Sequence, residues 1–218
     1  KLQHPERGEL NYQFQHLNFN KDYDGNRHLL FTKLKFDRFQ LVSNSSVLET
    51  DGVVSSSLFY RSNSHLKYSY QNGWSGVKFS TEHNEKKQLE LNQFDPISQK
   101  FQAYEVFTGI GDSTKVFTKL GYIHRVNDSL QNNRLAKVNQ SATYYLDSKF
   151  IQTKNTNLSL YANYREFKTI NTSNSSQKSI NSRLQYSQKL ANNLFHWNTL
   201  FETNSGRLPQ QDFTYIEV

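Results

Sequence analysis

A two-residue alternation of apolar and polar side chains runs through this chain and limits what it can fold into. Side chains on a β-strand point to opposite faces in turn, so each alternating run predicts a strand with one apolar and one polar face. No segment sustains the three- and four-residue spacing of an amphipathic helix. The apolar positions of the clearest runs are Tyr12, Phe14, Tyr68, Tyr70, Leu158, Leu160, Leu184 and Tyr186.

Turn signals separate the alternating runs. Asn72-Gly73 predicts a type I′ hairpin turn, in which both residues take positive φ. Asp24-Gly25 predicts a second turn followed by a strand over His28–Leu41, and Ser43–Ser46 predicts a further break. The pattern therefore predicts an all-β chain of about 10–12 antiparallel strands, each of about 8–14 residues, in up-and-down order.

The whole chain, residues 1–218, is expected to form a single unit, because no shift in composition marks a domain boundary. Residues 1–8 are expected to be a lead-in to the first strand. The strand-like run Phe213–Val218 ends in mid-pattern, which suggests that the sheet continues beyond residue 218.

Composition favours a sheet with one wet face. Only 35% of residues are hydrophobic and mean hydropathy is −0.81, yet 14% are aromatic, which is too many for a disordered chain. A membrane barrel has this balance, and so does a thin soluble sheet with one solvated face. The long strands favour the barrel, since a membrane strand needs about 9–11 residues and strands in soluble sheets have about 5–6. We therefore expect a transmembrane β-barrel, or a contiguous segment of a larger one.

In such a barrel the eight apolar residues named above would face lipid, and basic residues in the opposite phase would line the lumen. The expected lumen cations are Lys67, Lys78, Lys119, Arg165 and Arg183. They would favour polar or anionic cargo, or would hold a plug or a partner chain. Aromatic residues near strand ends would form interfacial girdles, as membrane barrels do. The expected girdle residues are Tyr60, Trp74, Phe101, Tyr104, Tyr122, Phe167 and Trp197.

Signatures of catalysis and of cofactor binding are weak. Asn20, Asp22 and Asp24 fit the first half of an EF-hand calcium loop, but its twelfth position is Phe31, where a bidentate Glu is needed. No histidines pair at metal-ligand spacing, and no nucleophile elbow or phosphate-binding loop is present. We therefore expect neither an enzyme nor a bound cofactor. The net charge of +7 is spread along the chain, and no basic cluster predicts nucleic-acid binding.

Three runs, Asn157–Phe167, Ser182–Gln188 and Asn192–Thr203, resemble the large outer-membrane β-barrel proteins of the Bacteroidota in their Asn, Ser, Lys and Tyr content. The resemblance covers most of the chain and implies a place in the cell outer membrane, in contact with its lipid. It also implies membership of a multi-protein transport, secretion or assembly complex with other outer-membrane or lipoprotein subunits. It carries over no functional residue.

Two other functions stay open from sequence. One is a soluble periplasmic or surface β-sheet protein that binds lipid or glycan, and the other is an enzyme on a barrel scaffold. The apolar face distinguishes the first from a barrel. A soluble protein would cover that face or fold it into a groove, whereas a barrel would turn all of it to lipid.

Overall fold

The computed structural model describes residues 1–4, 6–19, 23–94, 98–112, 114–131, 134–170, 175–190, 193–205 and 213–217. None of these residues forms a helix that could cross a membrane. The strands are β1 Leu2–His4, β2 Gly8–Phe19, β3 Tyr23–Phe36, β4 Phe39–Gly52, β5 Ser55–Tyr70, β6 Gly73–Gln88, β7 Gln93–Phe94, β8 Gln99–Gly111, β9 Phe117–Gln131, β10 Arg134–Gln152, β11 Thr156–Thr169, β12 Ser175–Leu190, β13 Asn193–Ser205 and β14 Phe213–Glu217.

All described strands belong to one antiparallel sheet in which each strand pairs with the next along the chain. The short strand β7 is the exception, since it pairs only with β6, and β6 continues to β8. The prediction of an all-β, antiparallel, up-and-down fold is confirmed. In the described chain the two ends of the sheet are β1 and β14.

Several strands exceed the predicted length, because β5, β6 and β12 have 16 residues each and β10 has 19. The expected break at Ser43–Ser46 is wrong, since these residues lie in the middle of β4. Their hydroxyls pair across the strands: Ser43 Oγ lies 2.8 Å from Ser64 Oγ, and Ser45 Oγ lies 2.8 Å from Ser62 Oγ. Such hydroxyl pairs stabilise a sheet, so serine here continues a strand instead of ending it.

The turn predicted at Asp24-Gly25 is also wrong, because both residues lie within β3. The connection from β2 to β3 falls on residues 20–22, outside the described residues. The strand predicted over His28–Leu41 is interrupted by a two-residue turn at Asp37-Arg38, where Asp37 has a φ of 46°. Asp tolerates this left-handed conformation better than most residues, which allows the chain to reverse there.

The hairpin predicted at Asn72-Gly73 is present, but its type I′ turn is not. Gln71 and Asn72 form the turn, and neither Asn72 nor Gly73 has a positive φ. Glycine is needed at position 73 for space, since a Cβ there would overlap the carbonyl oxygen of Gly109 and the ring of Tyr70. The expected lead-in also contains structure, because Leu2–His4 pairs with β2.

The register keeps the two faces of the sheet distinct from β1 to β14. We call the face that carries Tyr144 the apolar face and the face that carries Tyr145 the polar face. Large exposed apolar side chains of the strands lie mostly on the apolar face: Leu10, Tyr12, Phe14, Leu30, Phe36, Phe39, Leu66, Tyr70, Val77, Tyr104, Val106, Ile110, Leu120, Tyr144, Ile151, Ile180, Phe195 and Phe201.

The buried aromatic residues occupy the opposite, polar face. Trp74, Phe107 and Tyr145 are exposed by only 6%, 5% and 8%. Side chains on this face are shielded by one another, whereas the apolar face is open. The described sheet therefore has most of its large exposed apolar side chains on one face and its mixed polar and aromatic packing on the other.

The strands are staggered as well as paired. A row of directly paired residues that starts at the turn between Phe36 and Phe39 crosses the sheet to Ser182, about eight residues from the Leu190 end of β12. The shift is about one residue per strand. With a rise of ~3.3 Å per residue and a spacing of ~4.8 Å between strands, such a shift inclines the strands by roughly 35° from the perpendicular to the line through their ends.

Candidate functional site

The eight residues predicted to face lipid all lie on the apolar face. Tyr12 and Phe14 are each 54% exposed and Tyr70 is 38% exposed, and the other five are half-buried. The five predicted lumen cations all lie on the polar face. The register thus separates the two predicted sets, while contact with lipid or with a lumen stays a prediction.

The predicted girdle divides between the faces. Tyr60, Tyr104, Tyr122 and Trp197 lie on the apolar face. The prediction is wrong for Trp74, Phe101 and Phe167, which lie on the polar face.

These three aromatic residues pack against cations instead. Lys67 Nζ lies 5.2 Å from the ring centre of Trp74, and Arg125 Cζ lies 4.5 Å from that of Phe101. Arg165 Cζ lies 5.6 Å from the ring centre of Phe167. A cation over a ring face is attracted by the ring quadrupole, so these rings support the basic face.

The candidate calcium loop is only partly described. Asn20 and Asp22 lie outside the described residues. Asp24 lies on the apolar face in β3, where its Oδ1 is 3.4 Å from His16 Nε2. The described residues contain no group of three His, Asp or Glu side chains that could hold a metal ion.

The most connected site is a charged cluster near the centre of the polar face, which we call the Glu105 cluster: Lys78, Glu105, Lys119 and Tyr145. Lys78 Nζ donates to both carboxylate oxygens of Glu105, at 3.1 and 2.9 Å. Lys119 Nζ and the Tyr145 hydroxyl donate to Glu105 Oε1, at 3.0 and 2.5 Å. The Glu105 side chain is 15% exposed. One carboxylate thus accepts from three donors on β6, β9 and β10.

An aromatic floor supports this cluster. Lys119 Nζ lies 4.4 Å from the ring centre of Phe107 and 4.9 Å from that of Tyr145. Lys78 Nζ lies 5.4 Å from the Phe107 ring centre. The two ammonium groups are therefore held by a carboxylate on one side and by ring faces on the other.

Glycines make room for these rings. A Cβ at Gly76 would lie 2.5 Å from Phe107 Cζ, and one at Gly109 would lie 2.5 Å from Trp74 Cζ2. A Cβ at Gly121 would overlap the ring of Tyr145. Because Gly121 is on β9, the Tyr145 ring can cross that strand and reach Glu105 on β8. Glycine in a strand often marks such a close approach.

The turn between β8 and β9 has a polar anchor of its own. The backbone N–H and the hydroxyl of Thr114 donate to Asp112 Oδ1 at 2.9 and 2.7 Å. These bonds favour the charged carboxylate and hold the pKa of Asp112 below its usual value. Asp112 therefore stays ionised at neutral pH.

Sequence reasoning found the lysines of the Glu105 cluster but missed Glu105, Tyr145 and the three glycines. Glu105 was one acid among many, and its partners are 14 to 40 residues away along the chain. The one available signal was glycine at positions 76, 109 and 121, inside segments with strand-like alternation.

Comparisons with known proteins do not show which family the chain belongs to. No family model and no curated protein sequence matches the chain. Among solved structures, the chain is similar to the β domain of the Bordetella autotransporter BrkA, at 10% sequence identity and a TM-score of 0.35. The match covers 92% of this chain and 89% of the BrkA domain.

We expect Glu105→Gln to lower the free energy of unfolding by about 1–3 kcal/mol, because Lys78 and Lys119 would lose their shared charge partner in a shielded site. Urea unfolding followed by tryptophan fluorescence measures the change. The matched control is Glu82→Gln, since in the described part of the chain Glu82 accepts from Arg61, whose side chain is 52% exposed. The control should cost less than about 1 kcal/mol. Equal effects at both positions would contradict this account of the cluster.

Gly121→Ala should destabilise the protein by about 1–3 kcal/mol, because the new methyl group would displace the Tyr145 ring. The same substitution in a Tyr145→Ala background should be close to neutral, because the ring is then absent. A double-mutant cycle on unfolding free energies measures this coupling. Additive costs for the two substitutions would show that Gly121 is not needed for the ring.

Proposed function

We propose that this chain forms the wall of an outer-membrane β-barrel, with its apolar face toward lipid and its polar face toward a water-filled interior. The observation that carries the proposal is the exposure of large apolar side chains along one face of the sheet. Phe14 on β2 and Phe201 on β13 are 54% and 42% exposed on this same face. Soluble monomers rarely expose contiguous apolar patches larger than a few hundred Å².

The backbone supports the same proposal. Every long strand of the described sheet is hydrogen-bonded to its neighbours in the chain, as a membrane strand must be, because lipid offers no partners for N–H and C=O groups. The stagger of about one residue per strand, or roughly 35° of inclination, matches the tilt of about 35–45° that closure into a barrel requires. The strands are also long enough for an inclined path across the hydrocarbon core.

For its role we propose structure or transport, secretion or assembly, as a subunit of a multi-protein complex in the outer membrane. The support is the Asn-, Ser-, Lys- and Tyr-rich composition shared with the barrels of the Bacteroidota, together with a polar face built of charged and amide side chains. The partners would be outer-membrane lipid and other outer-membrane or lipoprotein subunits. We propose no catalytic role and no nucleic-acid partner.

A soluble sheet that binds lipid or glycan is the second candidate, and the burial pattern weighs against it. A sheet that cradles an acyl chain would shield its apolar side and turn its polar side to water. Here Trp74, Phe107 and Tyr145 are buried among charges on the polar face, while Tyr12 and Phe14 are exposed on the other. The shielded side is therefore the wrong one for an acyl chain.

The two tryptophans test the proposal, because Trp74 lies on the polar face and Trp197 on the apolar face. Trp74→Phe leaves only Trp197, and Trp197→Phe leaves only Trp74. Each variant would be reconstituted in phospholipid vesicles with and without brominated acyl chains, which quench fluorescence only on contact. We expect strong quenching of Trp197 and little quenching of Trp74.

The pair provides its own control, because both variants lose one tryptophan and differ only in which face keeps the other. Quenching of Trp74 alone would reverse the assignment of the faces. Absence of quenching in both, with protein released by a salt wash, would overturn the barrel and favour the soluble sheet.

A further inference from the structure

We propose that the polar face selects anions, so that the interior of the barrel passes small anionic solutes in preference to cations. This inference rests on the proposed function. It starts from the charges that the register places on the polar face. Thirteen Lys and Arg side chains of the described strands lie there: Arg27, Lys33, Lys35, Arg61, Lys67, Lys78, Lys86, Lys119, Arg125, Lys149, Arg165, Arg183 and Lys189.

Only four carboxylates with described side chains share that face: Glu9, Glu82, Glu105 and Asp147. The apolar face has the opposite balance. Among the described strand residues it carries four basic side chains and six acidic ones, Asp24, Glu49, Asp51, Glu85, Asp128 and Glu166. The positive excess of the chain is therefore concentrated on one side of the sheet.

Three of the four acids of the polar face form ion pairs, and one of these, Glu9, is held by Lys1 Nζ at 3.4 Å. Glu82 Oε2 accepts from Arg61 Nη2 at 2.8 Å, and Glu105 accepts from both Lys78 and Lys119. Asp147 lies directly across from Lys119 in the register. These carboxylates therefore leave little negative charge that could attract a mobile cation.

Several of the described basic residues form no ion pair, although Lys33 lies across from Glu9 in the register. Within the described part of the chain, Arg27, Lys33 and Lys35 on β3 are exposed and form no ion pair. Arg165 and Arg183 form no ion pair there either. Arg165 lies over an aromatic ring, and Arg183 Nε donates to the side-chain oxygen of Asn198 at 3.2 Å.

The lysines also converge. Lys33 on β3 and Lys78 on β6 lie in one cross-strand row, which Glu9 on β2 and Glu105 on β8 flank. Lys35 and Lys67 lie in the next row of the polar face. Four positive side chains thus fall within two neighbouring rows over four strands. Charges of one sign on the low-dielectric wall of a channel focus the field and raise the local concentration of the opposite ion. Rings of Arg and Lys characterise pores that pass anions.

The test measures reversal potentials of the full-length protein in planar phospholipid bilayers under a KCl gradient. We expect the wild type to pass Cl⁻ several-fold better than K⁺. The triple variant Arg27→Gln, Lys33→Gln and Lys35→Gln removes three charges from the polar face, and it should lower the Cl⁻/K⁺ permeability ratio by roughly twofold or more. The matched control is Lys87→Gln, Lys100→Gln and Lys168→Gln, which removes three charges from the apolar face. It should leave the ratio unchanged.

Brominated-lipid quenching of Trp197 on the same preparations separates this inference from the proposed function. Absence of that quenching would contradict the proposed function, which is that the chain forms a barrel wall in the membrane. If Trp197 is quenched but the protein passes no current, passes K⁺ better than Cl⁻, or responds equally to both triple variants, the barrel stands and anion selection is overturned. Loss of selectivity in the β3 triple variant alone would establish the polar face as its source.

Discussion

The rest of this structure depends on an antiparallel backbone ladder whose register is kept from strand to strand. Side chains alternate along a strand, so a slip of one residue would move every apolar side chain to the other face. Two register shifts occur in the described pairings of β10, between Lys137 and Asn139 and between Lys149 and Ile151. Both lie toward the ends of the strand, and the alternation between them is intact. Face identity, stagger and the position of each charged side chain all follow from this ladder.

The sequence alone predicted which residues share a face of the sheet, because this depends on alternation. It did not predict where several strands end, because this depends on local turn chemistry. Tyr12 with Phe14, and Leu158 with Leu160, fell on one face because their spacing of two is itself the strand period. Ser43–Ser46 was mistaken for a break because serine favours turns in isolation, whereas in β4 its hydroxyls pair with those of β5. Residues 37–38 were missed because Asp37 is followed by Arg38 and not by the glycine that completes the hairpin signal.

The centre of the polar face lay beyond sequence reasoning for a different reason. The hydrogen bonds of the Glu105 cluster join residues up to 40 positions apart, and the geometry of the cluster depends on which glycine lies opposite which ring. Those pairings are set by the register, which sequence does not give. The same dependence explains Trp74, whose ring lies over Gly109 and beside Lys67 on the polar face. Its position near a strand end suggested an interfacial aromatic residue, whereas the register places its ring on the polar face.

The central claim is that one face of the sheet meets lipid and the other meets water, and β11 tests it residue by residue. The chain has no cysteine, so single cysteines at positions 157–168 can carry spin labels without background. In reconstituted vesicles, collision rates with oxygen, which is concentrated in lipid, and with a water-soluble nickel chelate would be measured at each position. The account predicts that both rates oscillate with a period of two and in opposite phase, with oxygen highest at even positions such as Leu160. Rates that vary in phase, or nickel access at every position, would contradict it.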